Sequence, residues 1–188
     1  MKQLLDSLAD KETNARRNQI EGSYTDRFSW VFDEEIQRPW DSFTGWLSSD
    51  GSLYWICGKA SSGKSTLRKF LINDQRTIQH LNKWKPDCST YSHFICNSGK
   101  RIQRSILGLL RSLLYQTLER NANIMNDILQ KWPKVSRIKN ADDWSRETLE
   151  EVLLRSLSLH EKSACIFVDG LDEIGPEDNP FDPLSLVK

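Results

Sequence analysis

Gly58-Lys59-Ala60-Ser61-Ser62-Gly63-Lys64-Ser65 fits the spacing G-x-x-x-x-G-K-[ST] without a gap. Each part has a chemical task. The glycines permit a turn whose backbone N–H groups converge on phosphate oxygens, and a helix starting there adds the positive end of its dipole. Lys64 would reach the β- and γ-phosphates of a nucleoside triphosphate, and the Ser65 hydroxyl would ligate Mg²⁺. Thr66, next in line, adds a hydroxyl near the α-phosphate. With glycine at about 7% of residues, chance produces this spacing in roughly one chain per hundred of this length. An apolar run before it and a helical pattern after it make the match more specific. The bland alternative is a glycine-rich turn that binds nothing.

The second constellation is "CIFVDGLDE", Cys165 to Glu173. Four apolar residues place Asp169 at the C-terminal edge of a strand, the side where open α/β sheets bind ligands. A carboxylate there can hold Mg²⁺, usually through its water shell. Asp172 and Glu173 follow within one turn of chain, and either could polarise an attacking water, with Glu173 favoured. An acidic turn facing solvent is the competing reading.

These residues need elements to position them. "LYWIC" (Leu53–Cys57) reads as a strand covered on both faces, as in a parallel sheet. A helix is expected from Lys64 to about Asn73. "YSHFICN" (Tyr91–Asn97) is a second strand candidate. Between Ile102 and Leu118, Ile102, Ile106, Leu109, Leu110, Leu113 and Leu114 recur at helical steps, the clearest amphipathic pattern in the chain. "NIMNDILQKW" suits a helix that Pro133 ends. Arg146–His160 carries Leu149, Val152, Leu153 and Leu157 on one face, with Glu151 and Arg155 as an i,i+4 pair. Ala164–Val168 is the third strand. Strands alternating with helices predict a parallel α/β sheet. Upstream, residues 1–20 read as a charged, marginal helix and Asp41–Leu47 as a short one. Trp30, Trp40, Trp46 and Trp55 read as packing anchors of the core.

Bulk properties narrow the function classes. The chain has 188 residues, with 26 basic and 26 acidic side chains. That length suffices for one domain with a core. The cancelling charges argue against a global field that would draw in nucleic acid or anionic membrane. No run approaches the roughly 18 apolar residues of a membrane span. The N-terminus has no signal-peptide core. Cys57, Cys88, Cys96 and Cys165 show no paired spacing of a zinc site, and those in strands read as buried free thiols of a reducing, cytoplasmic setting.

The pair "LYWICGKASSGKST" and "CIFVDGLDE" resembles the NACHT type of STAND nucleotide triphosphatases, in its fungal and nephrocystin-like flavour. "NARRNQIEGSYTDRFSWVF" resembles the segment before the phosphate loop in that family, and "NSGKRIQRSILGLLRSLLYQTL" is similar to its second strand–helix connection. The resemblance implies a P-loop three-layer sandwich with a mainly parallel sheet. It divides the chain into an N-terminal helical linker over residues 1–50 and a nucleotide-binding core over 51–188. ATP or ADP with Mg²⁺ is the implied ligand, and Ile20 matches a position that contacts the base in relatives. The implied function is a switch: ADP holds it closed, and exchange for ATP drives homo-oligomerisation of a full-length protein, without nucleic-acid or membrane partners. In the fungal relatives the output is often self/nonself recognition and cell death.

Family members continue past the acidic strand with further strands, one ending in a sensor arginine. The chain reads as a fragment lacking them, with a sheet incomplete at the C-terminus and little hydrolysis. Asp182 and Pro183 read as the start of a helix that is cut short. In such a sheet Leu53–Cys57 would lack its usual neighbours while Ala164–Val168 pairs with Tyr91–Asn97. Two alternatives stand beside the switch: another P-loop enzyme, such as a small kinase or nucleic-acid motor, and a degenerate scaffold. No N/T-K-x-D guanine-reading motif is present, which tilts the reading from GTP to ATP.

Overall fold

Strand β1 (Ser89–Phe94) and strand β2 (Ala164–Asp169) run parallel, with Ser89 opposite Ala164 and Phe94 opposite Asp169. This computed structural model describes residues 1–9, 25–59, 61–95, 101–160 and 162–174. Alternation along β2 sends Cys165 and Phe167 into one apolar cluster, while Ala164 and Val168 pack against another. The sheet thus lies between two cores.

One core is built by helix α1 (Lys2–Leu8), α5 (Ile106–Arg120), α6 (Ala122–Lys131) and α7 (Arg146–Ser158). In α5, Ile106, Leu110, Leu114 and Leu118 are fully buried at helical steps. Ser105 caps α5 by accepting from Gly108 N at 3.0 Å, which is why the helix starts later than the apolar pattern does. Pro133 ends the α6 pattern and opens a single helical turn, Pro133–Ser136. Two side chains of α5 also reach the outer edge of β1. The Gln116 amide accepts from Ser92 N at 3.1 Å and donates to Ser92 O at 2.9 Å, and Arg120 donates to Thr90 O at 2.8 Å. These contacts occupy part of the edge that β1 would otherwise present to another chain.

The other core is built by helix α2 (Phe43–Leu47), α3 (Lys64–Asn73) and α4 (Gln75–Trp84), which bury Phe43, Leu47, Phe70, Leu71 and Leu81. Helix α4 had no expectation behind it, although its cap is visible in the sequence: Asp74 accepts from Arg76 N at 2.9 Å.

The chain is a mixed helix-and-strand fold with a small parallel sheet, which among the described residues has two strands. Three expectations need correction. Leu53–Cys57 joins no sheet; it faces solvent through Leu53, Trp55 and Cys57, so its apolar run is not covered on both sides. Cys57 is accordingly an exposed thiol, whereas Cys165 is buried. Glu151 pairs away from its own helix, accepting from Trp132 Nε1 at 2.9 Å and from Lys134 at 3.3 Å, while Arg146–Glu150 forms the i,i+4 pair of α7. The pairing of Ala164–Asp169 with Ser89–Phe94, and not with Leu53–Cys57, agrees with expectation. Ile20, Cys96, Asp182 and Pro183 lie outside the described residues, as does Ala60.

Candidate functional site

The loop from Gly58 enters α3 through two left-handed residues, Ser61 (φ 60°) and Gly63 (φ 86°). Gly63 holds the N-cap position of α3, a backbone geometry that any side chain would strain. Ser61 adopts the same region without being glycine, which costs on the order of 1 kcal/mol and marks the loop as strained. Ser62 N donates to Lys59 O at 3.2 Å, closing the turn. Lys64 folds back over it, donating to Gly58 O at 2.8 Å and Lys59 O at 3.0 Å. Gly58, Lys59, Ser61 and Ser62 are exposed; Ser65 and Thr66 are half-buried on the first turn of α3. A strained loop, an ammonium curled over it and a helix N-terminus are features whose partial positive charge can attract an anion.

Asp169 ends β2, and Ile95 N donates to its carbonyl at 2.9 Å. Gly170 then turns left-handed (φ 75°), and a Cβ there would stand 3.0 Å from Ile95 O. The Asp169 carboxylate is buried and forms an ion pair with Arg68 of α3, which ties the strand end to the loop's helix. Burial pulls the Arg68 guanidinium below its ordinary value, while the Asp169 and Asp172 carboxylates act the other way. Asp172 is exposed and Glu173 half-buried on the single turn Leu171–Glu173. The Glu173 carboxyl carbon lies 3.6 Å from the Gly170 Cβ position, over its own turn, and neither acid lines the cavity beside the loop.

That cavity, of about 370 Å³, was not anticipated as a site. Ser62, Gly63 and Lys64 form one wall, and Phe28, Trp30, Arg38, Trp40, Tyr54 and Trp55 form others. Of the four tryptophans expected as core anchors, Trp46 packs against the core as expected, whereas Trp30, Trp40 and Trp55 are 39, 55 and 58% exposed. Trp30 and Trp40 meet edge to face at 6.3 Å, and Arg38 stacks over Trp30 at 5.3 Å. The signal available in the sequence was their density just before the loop, which suits a wall around the loop as well as a core. Helix periodicity fixes the layout. About Lys64, Leu67 lies about 60° to one side and Arg68 about 40° to the other. The cavity, which Leu67 lines, and the Asp169 carboxylate therefore occupy opposite flanks of one short helix.

The donor set suits a hard cation only in company. Among the described residues no group of three or more His, Cys, Asp or Glu side chains could hold a metal ion by itself. The Ser65 hydroxyl and the Asp169 carboxylate are oxygen donors of the kind Mg²⁺ takes together with substrate phosphates and water. Those residues fit the ion, with phosphate oxygens completing its shell. Among the described residues no helix is long and apolar enough to cross a membrane.

Residues 27–187 match the family model described as nephrocystin 3, N-terminal, and the chain belongs to that family. No curated protein and no solved structure matches.

Proposed function

We propose that this member of the nephrocystin 3 N-terminal family is a nucleotide-binding module of the P-loop type, taking ATP or ADP with Mg²⁺. The observation that carries the reading is the loop Gly58–Thr66: left-handed at Ser61 and Gly63, capped onto α3, and covered by Lys64. In this reading the loop N–H groups and Lys64 hold the phosphates, Ser65 and Asp169 hold the metal, and the aromatic cavity receives the base. A metal bound there would neutralise charge on the phosphates. The chain's own residues supply orientation: α3 points its N-terminus at the anion, and the apolar walls keep water from the nucleoside. Asp172 or Glu173 would orient an attacking water only after moving off the turn where they now lie. In a longer protein the same module would act as the exchange-driven switch of a homo-oligomer, in the cytoplasm.

Calorimetric titration with ATP, ADP and inorganic triphosphate, each with Mg²⁺ and with EDTA, tests this. Saturable binding of ATP that weakens without the base, and disappears in Lys64→Ala, is expected. No binding of either nucleotide, or binding unchanged in Lys64→Ala, would remove the loop from the function.

A further inference from the structure

We propose that Arg68 is a resident counter-cation of Asp169, so that a divalent metal reaches this carboxylate only by displacing the guanidinium. The inference rests on the nucleotide reading above and adds a threshold to it.

The geometry sets the two cations against each other. Asp169 is 5% exposed at the end of β2, and Arg68 Nη1 hydrogen-bonds its Oδ1. A guanidinium in contact occupies lone pairs that a hydrated Mg²⁺ also needs. Two positive charges at one carboxylate repel, and burial weakens the screening of that repulsion. Without a metal the pair is the stable arrangement, because a buried carboxylate left alone is strongly disfavoured. Ser65, the other oxygen donor, lies three residues before Arg68 on α3, so the metal and the guanidinium approach Asp169 from the same helix. Asp172 is exposed and already acts on Arg68 electrostatically, which gives the displaced guanidinium a second carboxylate to face. Among the described residues no other hydrogen bond or ion pair reaches the Asp169 side chain. Arg68 is thus a positioning residue: it orients Asp169 while the site is empty of metal and raises the metal concentration needed to claim it.

The experiment is a Mg²⁺ titration of fluorescent-ATP binding in the parent, Arg68→Gln and Arg68→Lys. The half-saturating Mg²⁺ concentration is expected to fall by about tenfold or more in Arg68→Gln, the scale at which close charge pairs couple. A smaller fall is expected in Arg68→Lys, which keeps the charge and loses the fork. Binding in EDTA should change far less than the Mg²⁺ midpoint. Adding Asp169→Asn to Arg68→Gln should abolish the difference. Should Arg68→Gln fail to fold, ¹⁵N-arginine spectra of the parent decide the matter. The Arg68 side-chain signal, identified by its loss in Arg68→Lys, should shift with Mg·ATP and stay in place with ATP in EDTA. Equal Mg²⁺ midpoints in variants that bind ATP, or an Arg68 signal indifferent to Mg²⁺, would overturn the competition and leave nucleotide binding standing. A parent that binds no ATP at all would overturn both.

Discussion

Arg68 and Asp169 stand 101 positions apart in the chain and form a buried ion pair, with side chains 14 and 7% exposed. The pair joins the helix that leaves the phosphate loop to the strand that carries the acidic turn. Breaking a buried pair by removing one partner typically costs about 3–5 kcal/mol, while replacing both with apolar groups is often neutral. Asp169→Leu is therefore expected to destabilise the fold by about 3 kcal/mol, and adding Arg68→Met to recover most of it. Urea denaturation of the four corners of the cycle measures this. An additive double variant would show that the pair adds nothing to the fold.

The Lys64 ammonium donates to two carbonyls of its own loop, Gly58 O and Lys59 O. Lys64→Ala should leave stability within about 0.5 kcal/mol of the parent, as for a partly exposed side chain outside the core. Triphosphate binding should nonetheless be lost. Thermal unfolding and calorimetry on the same sample separate the two effects, and a large fall in Tm would recast Lys64 as structural.

Gly170 couples the loop's partner strand to the acidic turn. A methyl group at φ 75° and 3.0 Å from Ile95 O is strained by conformation and by contact. Gly170→Ala is expected to cost at least about 1 kcal/mol and to displace Asp169 enough to weaken Mg²⁺-dependent binding. An unchanged urea midpoint would show that the turn relaxes freely.

Asp74 caps α4 and is held below the usual carboxylate range, chiefly by its hydrogen bond from the Arg76 side chain. A folded-state value below the unfolded one, near about 3.9, gives stability that is complete above that pH. It is lost as pH falls through the lower folded value. Asp74→Ala should therefore cost about 1 kcal/mol at neutral pH as a lost cap, with the gap closing below about pH 4. Because the Arg76 side chain is 38% exposed, added salt should shrink the charge part of that gap. A gap constant from pH 7 to pH 2 would leave backbone capping alone as the cause.

Leu4 and Leu8 of α1 are buried against α5, and the C-terminal carbonyls of α1 accept from buried Arg111 at 3.2 Å (Ser7 O) and 3.4 Å (Leu8 O). Leu8→Ala is expected to destabilise by about 2–5 kcal/mol, the range for emptying a core leucine site. Denaturant midpoints check it; a loss under about 0.5 kcal/mol would mean that the helix is only laid on the surface.

The loop and its helix were legible because their spacing states the backbone geometry directly: Gly63 is where φ 86° is needed. The strand pairing was legible through the sheet order of the family that the two motifs resemble, and the parallel register of Ser89–Phe94 with Ala164–Asp169 agrees with it. Arg68 was not, since one basic residue on a charged helix looks like solvent-facing charge until Asp169 is placed beside it. Leu53–Cys57 misled for a related reason. An apolar run reports that residues avoid water on average, not which neighbours supply the ladder, and here Tyr54 and Ile56 turn inward while Trp55 stays out. Ser105 and Asp74, by contrast, are residue types that cap helices, and they fix where α5 and α4 begin.

Trp30, Trp40 and Trp55 ring the cavity beside the loop, while Trp46, Trp84, Trp132 and Trp144 stand elsewhere. The protein consequently carries its own optical gauge. Light emitted by solvent-exposed indoles at the cavity mouth depends on what replaces water there, so occupancy can be followed without any label. Phenylalanine placed at each of the three positions in turn would say which ring sees the guest.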